Sequence, residues 1–143
     1  MDKEKFIFTT GTWLGEGKIS LSTSLESIPF YTKWVVTQEE EDIMKAVQIV
    51  ELQGIKEHTV NHFTFYDIHT RSFSVYLENK YTGRIVGQGN REKGIIAWEF
   101  NHFPTFEGFE KYELQPNGNY LFKAQYGPSN DYHTRIEGSI WIT

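Results

Sequence analysis

Gly11-Thr12-Trp13-Leu14-Gly15-Glu16-Gly17-Lys18-Ile19-Ser20-Leu21-Ser22 is the stretch that decides how the rest of the chain is read. Its odd positions carry Gly11, Trp13, Gly15, Gly17, Ile19 and Leu21, and its even positions carry Thr12, Glu16, Lys18, Ser20 and Ser22 with a single Leu14. Alternation with a period of two is the signature of a β-strand with one apolar face. Further runs of this kind follow at about 30–38, 43–53, 57–68, 71–79, 83–89, 94–101, 106–115, 119–127 and 132–142. Phe73, Val75 and Leu77 keep the alternation, as do Ile96, Trp98 and Phe100.

Turn chemistry separates the runs. Pro116-Asn117-Gly118 is the sharpest hairpin signal, because Asn-Gly tolerates the positive φ angles of tight turns. Tyr81-Thr82-Gly83, Gly89-Asn90 and Gly127-Pro128-Ser129-Asn130-Asp131 mark further reversals, and Gly87-Gln88-Gly89 reads as a strand end and turn. Helix is expected only at Leu25–Ile28, ended by Pro29, and in part of 38–48. The acidic run Glu39-Glu40-Glu41-Asp42 reads as a solvated hairpin tip. About ten short strands joined by short loops make a meander, and closure of a long meander removes its unpaired edges. The expected fold is an all-β, antiparallel up-and-down barrel of about ten strands, with a β-sandwich as the competing architecture. One domain spanning 1–143 is expected, since no linker divides the chain.

Composition narrows the function classes. A net charge of -5, with lysines and arginines scattered singly, argues against a nucleic-acid partner. The absence of cysteine excludes disulfides, thiolate catalysis and zinc–thiolate sites. No segment has the length and apolarity of a membrane span, and the start Met-Asp-Lys-Glu-Lys-Phe carries no apolar leader, so a cytoplasmic protein without a membrane partner is expected.

If each strand turns its apolar face inward, certain polar residues go with it. Trp34 brings Thr32, Phe63 and Phe65 bring Asn61, and the apolar face of 43–53 brings Gln48. Phe106, Tyr112 and Leu114 bring Glu110, while Phe122 brings Tyr120 and Tyr126. Trp98 and Tyr132 complete the set. Buried polar groups need partners, so this set pairs internally, holds water or meets a ligand. No lysine or arginine falls on the inward face, which disfavours a fatty acid and favours a neutral or cationic ligand with an aromatic or extended apolar body. Glu110 is the one carboxylate on an apolar face. It is the candidate to accept such a ligand's hydrogen bond, or to act as a general acid or base.

Other chemistry is poorly served. His58 and His62 have the spacing of a helical metal pair, but on a strand they stand roughly 13 Å apart. No Gly-x-Ser-x-Gly and no phosphate-cradling loop is present.

Gly11-Thr12-Trp13-Leu14-Gly15-Glu16-Gly17 resembles the first strand of the calycin superfamily, which contains the lipocalins, the fatty-acid-binding proteins and the nitrobindin-like haem-binding barrels. In those proteins the indole of a Gly-x-Trp plugs the closed end of the barrel, so the resemblance implies that role for Trp13. Gly15 and Gly17 bring the motif nearest the nitrobindin type, and Lys18-Ile19-Ser20-Leu21 then departs from it. The physical reading of these glycines is local, since a strand without side chains bends sharply or admits a close neighbour. The resemblance further implies a haem ligand at the final strand, where His133 stands, whereas the alternation there sets His133 outward with Arg135, Glu137 and Ser139. The expected function is a carrier for a small hydrophobic or aromatic ligand. An acid–base enzyme using Glu110 and a haem protein using His133 are the alternatives.

Overall fold

The computed structural model describes residues 4–102, 106–127 and 133–143. These form ten strands: β1 (Gly11–Leu21), β2 (Ser27–Glu40), β3 (Ile43–Leu52), β4 (His58–Tyr66), β5 (Ser72–Asn79), β6 (Gly83–Glu92), β7 (Ile95–His102), β8 (Phe106–Leu114), β9 (Tyr120–Tyr126) and β10 (Thr134–Ile142). Each strand pairs antiparallel with its sequence neighbours, and β10 returns to β1, so the sheet closes on itself. The expected all-β antiparallel barrel is the fold, and the period-two pattern is its cause. In β6 the buried residues are Ile85, Gly87 and Gly89, each followed by an exposed one. No residue among those described is helical, and no helix is long and apolar enough to cross a membrane.

Several local expectations are corrected. Leu25–Ile28 and 38–48 are not helical, because β2 begins at Ser27, runs through Pro29 and ends at Glu40, and β3 resumes at Ile43. The residue before a proline is pushed toward extended backbone, which places Ile28 in the strand opposite Ile19. The β2–β3 turn at Glu41 and Asp42 is the solvated acidic tip, with a register shift between Gln38 and Glu40. Gly87-Gln88-Gly89 is neither strand end nor turn; it lies inside β6, and the reversal falls at Lys93 and Gly94. Those two residues take φ of 54° and 82°, so they supply the left-handed pair that Gly89-Asn90 was expected to supply. Tyr132 and the turn residues 128–131 lie outside the described residues, as does the Phe106 side chain.

Inward glycines let the wall approach itself and let rings lie flat. A Cβ on Gly17 would stand 2.1 Å from the Glu137 carbonyl oxygen, and one on Gly138 would stand 2.2 Å from that of Glu16. The two glycines pair directly, so β1 and β10 approach where no side chain fits, as expected for Gly17. Their neighbours Phe30 and Phe122 meet inside, with ring centroids 6.1 Å apart. Gly89 lies beneath Phe73, and Gly108 lies beneath Tyr126, each leaving space that a Cβ would occupy.

One end of the barrel is plugged. Trp13 is buried there, in the position its resemblance implied, but it does not act alone. The segment before β1 folds over the same end and drives Phe6 inward, 5.4 Å from Trp13, 5.1 Å from Trp34 and 4.7 Å from Tyr112 between ring centroids. Burying a phenyl ring of this kind stabilises by about 1.5–3 kcal/mol. The segment is held in place by polar contacts: Lys5 N–H donates to the Tyr120 hydroxyl (3.0 Å), and Gly94 N–H donates to the Glu4 carboxylate (2.6 Å). The Arg91 guanidinium lies 4.1 Å from the Phe8 ring centre.

Candidate functional site

Burial of the inward face changes along the barrel axis. Near the plug, Trp13, Trp34, Phe65, Phe73, Ile96 and Tyr120 are at most 2% exposed and fill the interior with rings. Toward the opposite end, Ile19, Gln48, Val50, Asn61, Tyr126 and Ile136 are only half-buried, although they continue the same inward phase. Solvent therefore reaches the inner wall from the end away from the plug. Two features of chemical interest stand on that wall.

The first is a carboxyl cluster on β8 and β9. Glu110 is 6% exposed and accepts hydrogen bonds from the hydroxyls of Tyr112 (2.7 Å) and Tyr126. Tyr112 reaches it because two residues apart on one strand means the same face. Tyr126 reaches it from the next strand, leaning across Gly108, its direct partner in the β8–β9 register. Burial pushes the Glu110 carboxyl above the ordinary glutamate range. The hydroxyls of Tyr126 and Tyr112 offset part of that rise. The Trp98 indole acts in the same direction, although its N–H falls outside hydrogen-bonding geometry. Tyr112 and Tyr126 are themselves pushed well above the ordinary phenol value, first by burial and then by the neighbouring carboxylate.

The second feature is a ladder of side-chain hydrogen bonds across β2, β3, β4 and β5. Gln48 Nε2 donates to Thr32 Oγ1 (3.3 Å), Asn61 Nδ2 to Gln48 Oε1 (2.9 Å) and Asn79 Nδ2 to Asn61 Oδ1 (3.0 Å). No lysine or arginine is buried beside either feature; among the described residues the buried polar side chains are Glu4, Thr32, Thr64 and Glu110.

The structure thus sorts the sequence-expected residues by their place along and around the barrel. Glu110, Tyr112, Tyr126 and Trp98 come together on one side of the interior, and Thr32, Gln48 and Asn61 on another. Trp34, Phe63 and Phe122 pack between them, with Trp34 and Phe63 centroids 5.1 Å apart. Tyr120 and Phe65 sit toward the plug, where the Tyr120 hydroxyl is engaged by Lys5 and Phe6 and Phe65 packs on Phe73. His133 lies just before β10 and is half-buried; its Nδ1 has no partner among the described residues. Its backbone pairs with Ser22 at the rim, one position out of phase with the inward Thr134 and Ile136. Sequence reasoning missed Asn79, which follows Phe73, Val75 and Leu77 at the same period, and Phe6, signalled by the apolar Phe6-Ile7-Phe8 cluster before β1.

A separate groove of about 660 Å³ lies on the outer wall over β1, β2, β8, β9 and β10, lined by Tyr31, Leu121 and the charges of Lys18, Lys123, Glu16 and Glu137. Its charges are mixed and solvated, and Glu110 and the ladder do not line it.

No protein-family model and no curated protein matches the chain. Solved structures do. An S-type phycobiliprotein lyase from Guillardia theta superposes with a TM-score of 0.71 at 9% identity, covering 100% of this chain and 93% of its own. The Rv2717c protein of M. tuberculosis superposes with a TM-score of 0.72 at 10% identity, covering 94% and 92%. At these identities the similarity is one of fold: the chain and these structures share a closed antiparallel barrel, here of ten strands.

Proposed function

We propose that this barrel binds a small molecule with an extended aromatic or conjugated body, admitted at the end away from the plug, and that Glu110 receives a hydrogen-bond donor or a cationic group of that ligand. The observation that carries the reading is a buried carboxyl in an interior with no buried lysine or arginine among the described residues. An ionised carboxylate in such a place is costly unless paired, so a donor arriving from outside relieves a cost already present in the free protein. The aromatic walls supply stacking area, and a few polar groups supply orientation, which is the usual division of labour in ligand pockets. A fatty-acid carboxylate finds no interior cation to meet it.

One fold neighbour is named a phycobiliprotein lyase. A bilin is a linear conjugated tetrapyrrole with N–H donors; its rings suit the aromatic interior, while its propionates would have to stay in solvent at the end away from the plug. Absorbance titration with biliverdin tests the reading. Saturable one-to-one binding is expected, weakened about tenfold in Glu110→Gln, as loss of a charge-assisted hydrogen bond implies. Palmitate in excess is expected not to compete. Equal binding by the variant contradicts it, as does absence of saturable binding of both biliverdin and the aromatic cation proflavine.

A second reading, proton transfer at Glu110, is favoured by its raised pKa and its two hydroxyl partners. Mass analysis of the incubated ligand separates the two, since a carrier returns it unchanged. Haem ligation by His133 has less support, because that residue is out of phase with the inward face.

A further inference from the structure

The ladder on β2–β5 has a direction, and the backbone fixes it. Asn79 Oδ1 accepts from the main-chain N–H groups of Tyr81 (2.9 Å) and Thr82 (2.8 Å) in the β5–β6 turn. A main-chain N–H only donates, so the Asn79 carbonyl faces the turn and its NH₂ group faces Asn61. Asn61 must then accept through Oδ1 and turn its own NH₂ toward Gln48, which in turn accepts through Oε1 and donates to Thr32. Along the ladder each NH₂ uses one of its two hydrogens, while the Asn79 oxygen accepts three bonds and the Gln48 and Asn61 oxygens accept one each.

The wall therefore keeps a free N–H on each of its three amides. Trp34, the register partner of Gln48, tips the balance toward donors, for its indole N–H is fully buried, has no acceptor among the described residues and cannot itself accept. A buried donor without a partner forfeits about 1–3 kcal/mol, so an acceptor brought to this wall is favoured. Gln48, Asn61 and Asn79 are half-buried, hence accessible from the end away from the plug. In a closed ring of ten strands β4 and β9 stand five apart, which sets the donor wall and the carboxyl cluster on opposite sides of one interior.

We infer that the Gln48–Asn61–Asn79 ladder is a specificity wall for a neutral carbonyl oxygen of the ligand. The inference rests on the binding reading above and deepens it: the ligand carries a carbonyl, of the lactam or amide kind, at one end and an N–H donor or cation at the other. A neutral oxygen is specified because, among the described residues, the wall offers amide and indole donors and no buried cation.

Asn61→Leu and Gln48→Met test this, since each keeps nearly the volume and adds no charge but removes the N–H donors. Two probes are titrated at pH 7: biliverdin, which has lactam carbonyls, and proflavine, an aromatic cation with amines and no oxygen. Both variants are expected to lose about tenfold or more for biliverdin while binding proflavine as the wild type does or more tightly. Thermal unfolding of the variants checks that they are folded, and either one suffices. Equal loss of both probes, or no loss of either, overturns the inference. Wild-type binding of proflavine but not biliverdin also overturns it and leaves the Glu110 reading standing, whereas binding of neither probe overturns both.

Discussion

Glu110 is held where its charge is unwelcome, and that has a consequence for stability. The unfolded chain keeps this group near the ordinary value of 4.5, while burial in the folded barrel raises it. The folded state thus binds the proton more tightly than the unfolded state. The resulting stabilisation is complete below the ordinary value and is lost as the pH rises through the raised one. Glu110→Gln carries no such proton. Denaturant unfolding of wild type and variant is expected to show a gap that moves in the variant's favour as the pH rises from 4 to 8. A gap that does not change with pH contradicts the assignment. At this scale the sequence was legible where one strand decides the contact: Glu110 and Tyr112 share a face by alternation alone. The contact from Tyr126 depends on its register opposite Gly108, a pairing between strands that periodicity within a strand does not specify. Asn79 was missed for a related reason, since its role is set by Asn61 on the next strand and by the turn that follows it.

At the scale of elements, glycine has two meanings in this chain that look alike in sequence. Gly118 and Gly94 take φ of 90° and 82° and make turns. Gly87, Gly89 and Gly108 lie inside strands and make room for rings or for a neighbouring carbonyl. Pro116-Asn117-Gly118 was readable as a turn because its neighbours also favour one, with Gly118 N–H donating to the Gln115 carbonyl. Gly89 was misread because the ring it accommodates, Phe73, belongs to another strand. The plug is the other element that periodicity could not supply. A short segment outside any strand reveals its role only once the barrel end it covers exists. Phe6→Ala is expected to cost about 3–5 kcal/mol, the range for truncating a fully buried phenylalanine, read as a shift in the denaturant midpoint. Tyr120→Phe, which removes only the hydroxyl that holds Lys5 N–H, is expected to cost about 1 kcal/mol. A Phe6 variant as stable as the wild type contradicts the plug.

The whole molecule is a closed ring with unlike ends. Closure leaves no strand edge to pair with a second chain, so each strand's outward face meets solvent and its inward face meets the rings of the others. Aromatic packing and the N-terminal segment fill one end, while the other keeps its inner wall in reach of solvent, with a donor wall facing a carboxyl cluster. The barrel itself followed from alternation, turn residues and length. That Thr32, Gln48 and Asn61 face inward followed from alternation too, but their joining into one ladder did not, because it arises from how three strands align their amides beside Thr32. Four tryptophans offer a direct reading of where a ligand sits. Trp13, Trp34 and Trp98 point inward and are at most 2% exposed, while Trp141 pairs with the exposed Leu14 on the outward phase. In ¹H–¹⁵N correlation spectra recorded during a biliverdin titration, the indole signals of Trp34 and Trp98 and the side-chain amides of Gln48 and Asn61 are expected to shift and saturate together, with Trp141 unmoved. Saturating shifts confined to Trp141 and the outer-groove residues, or no saturating shift at all, would contradict an interior binding site.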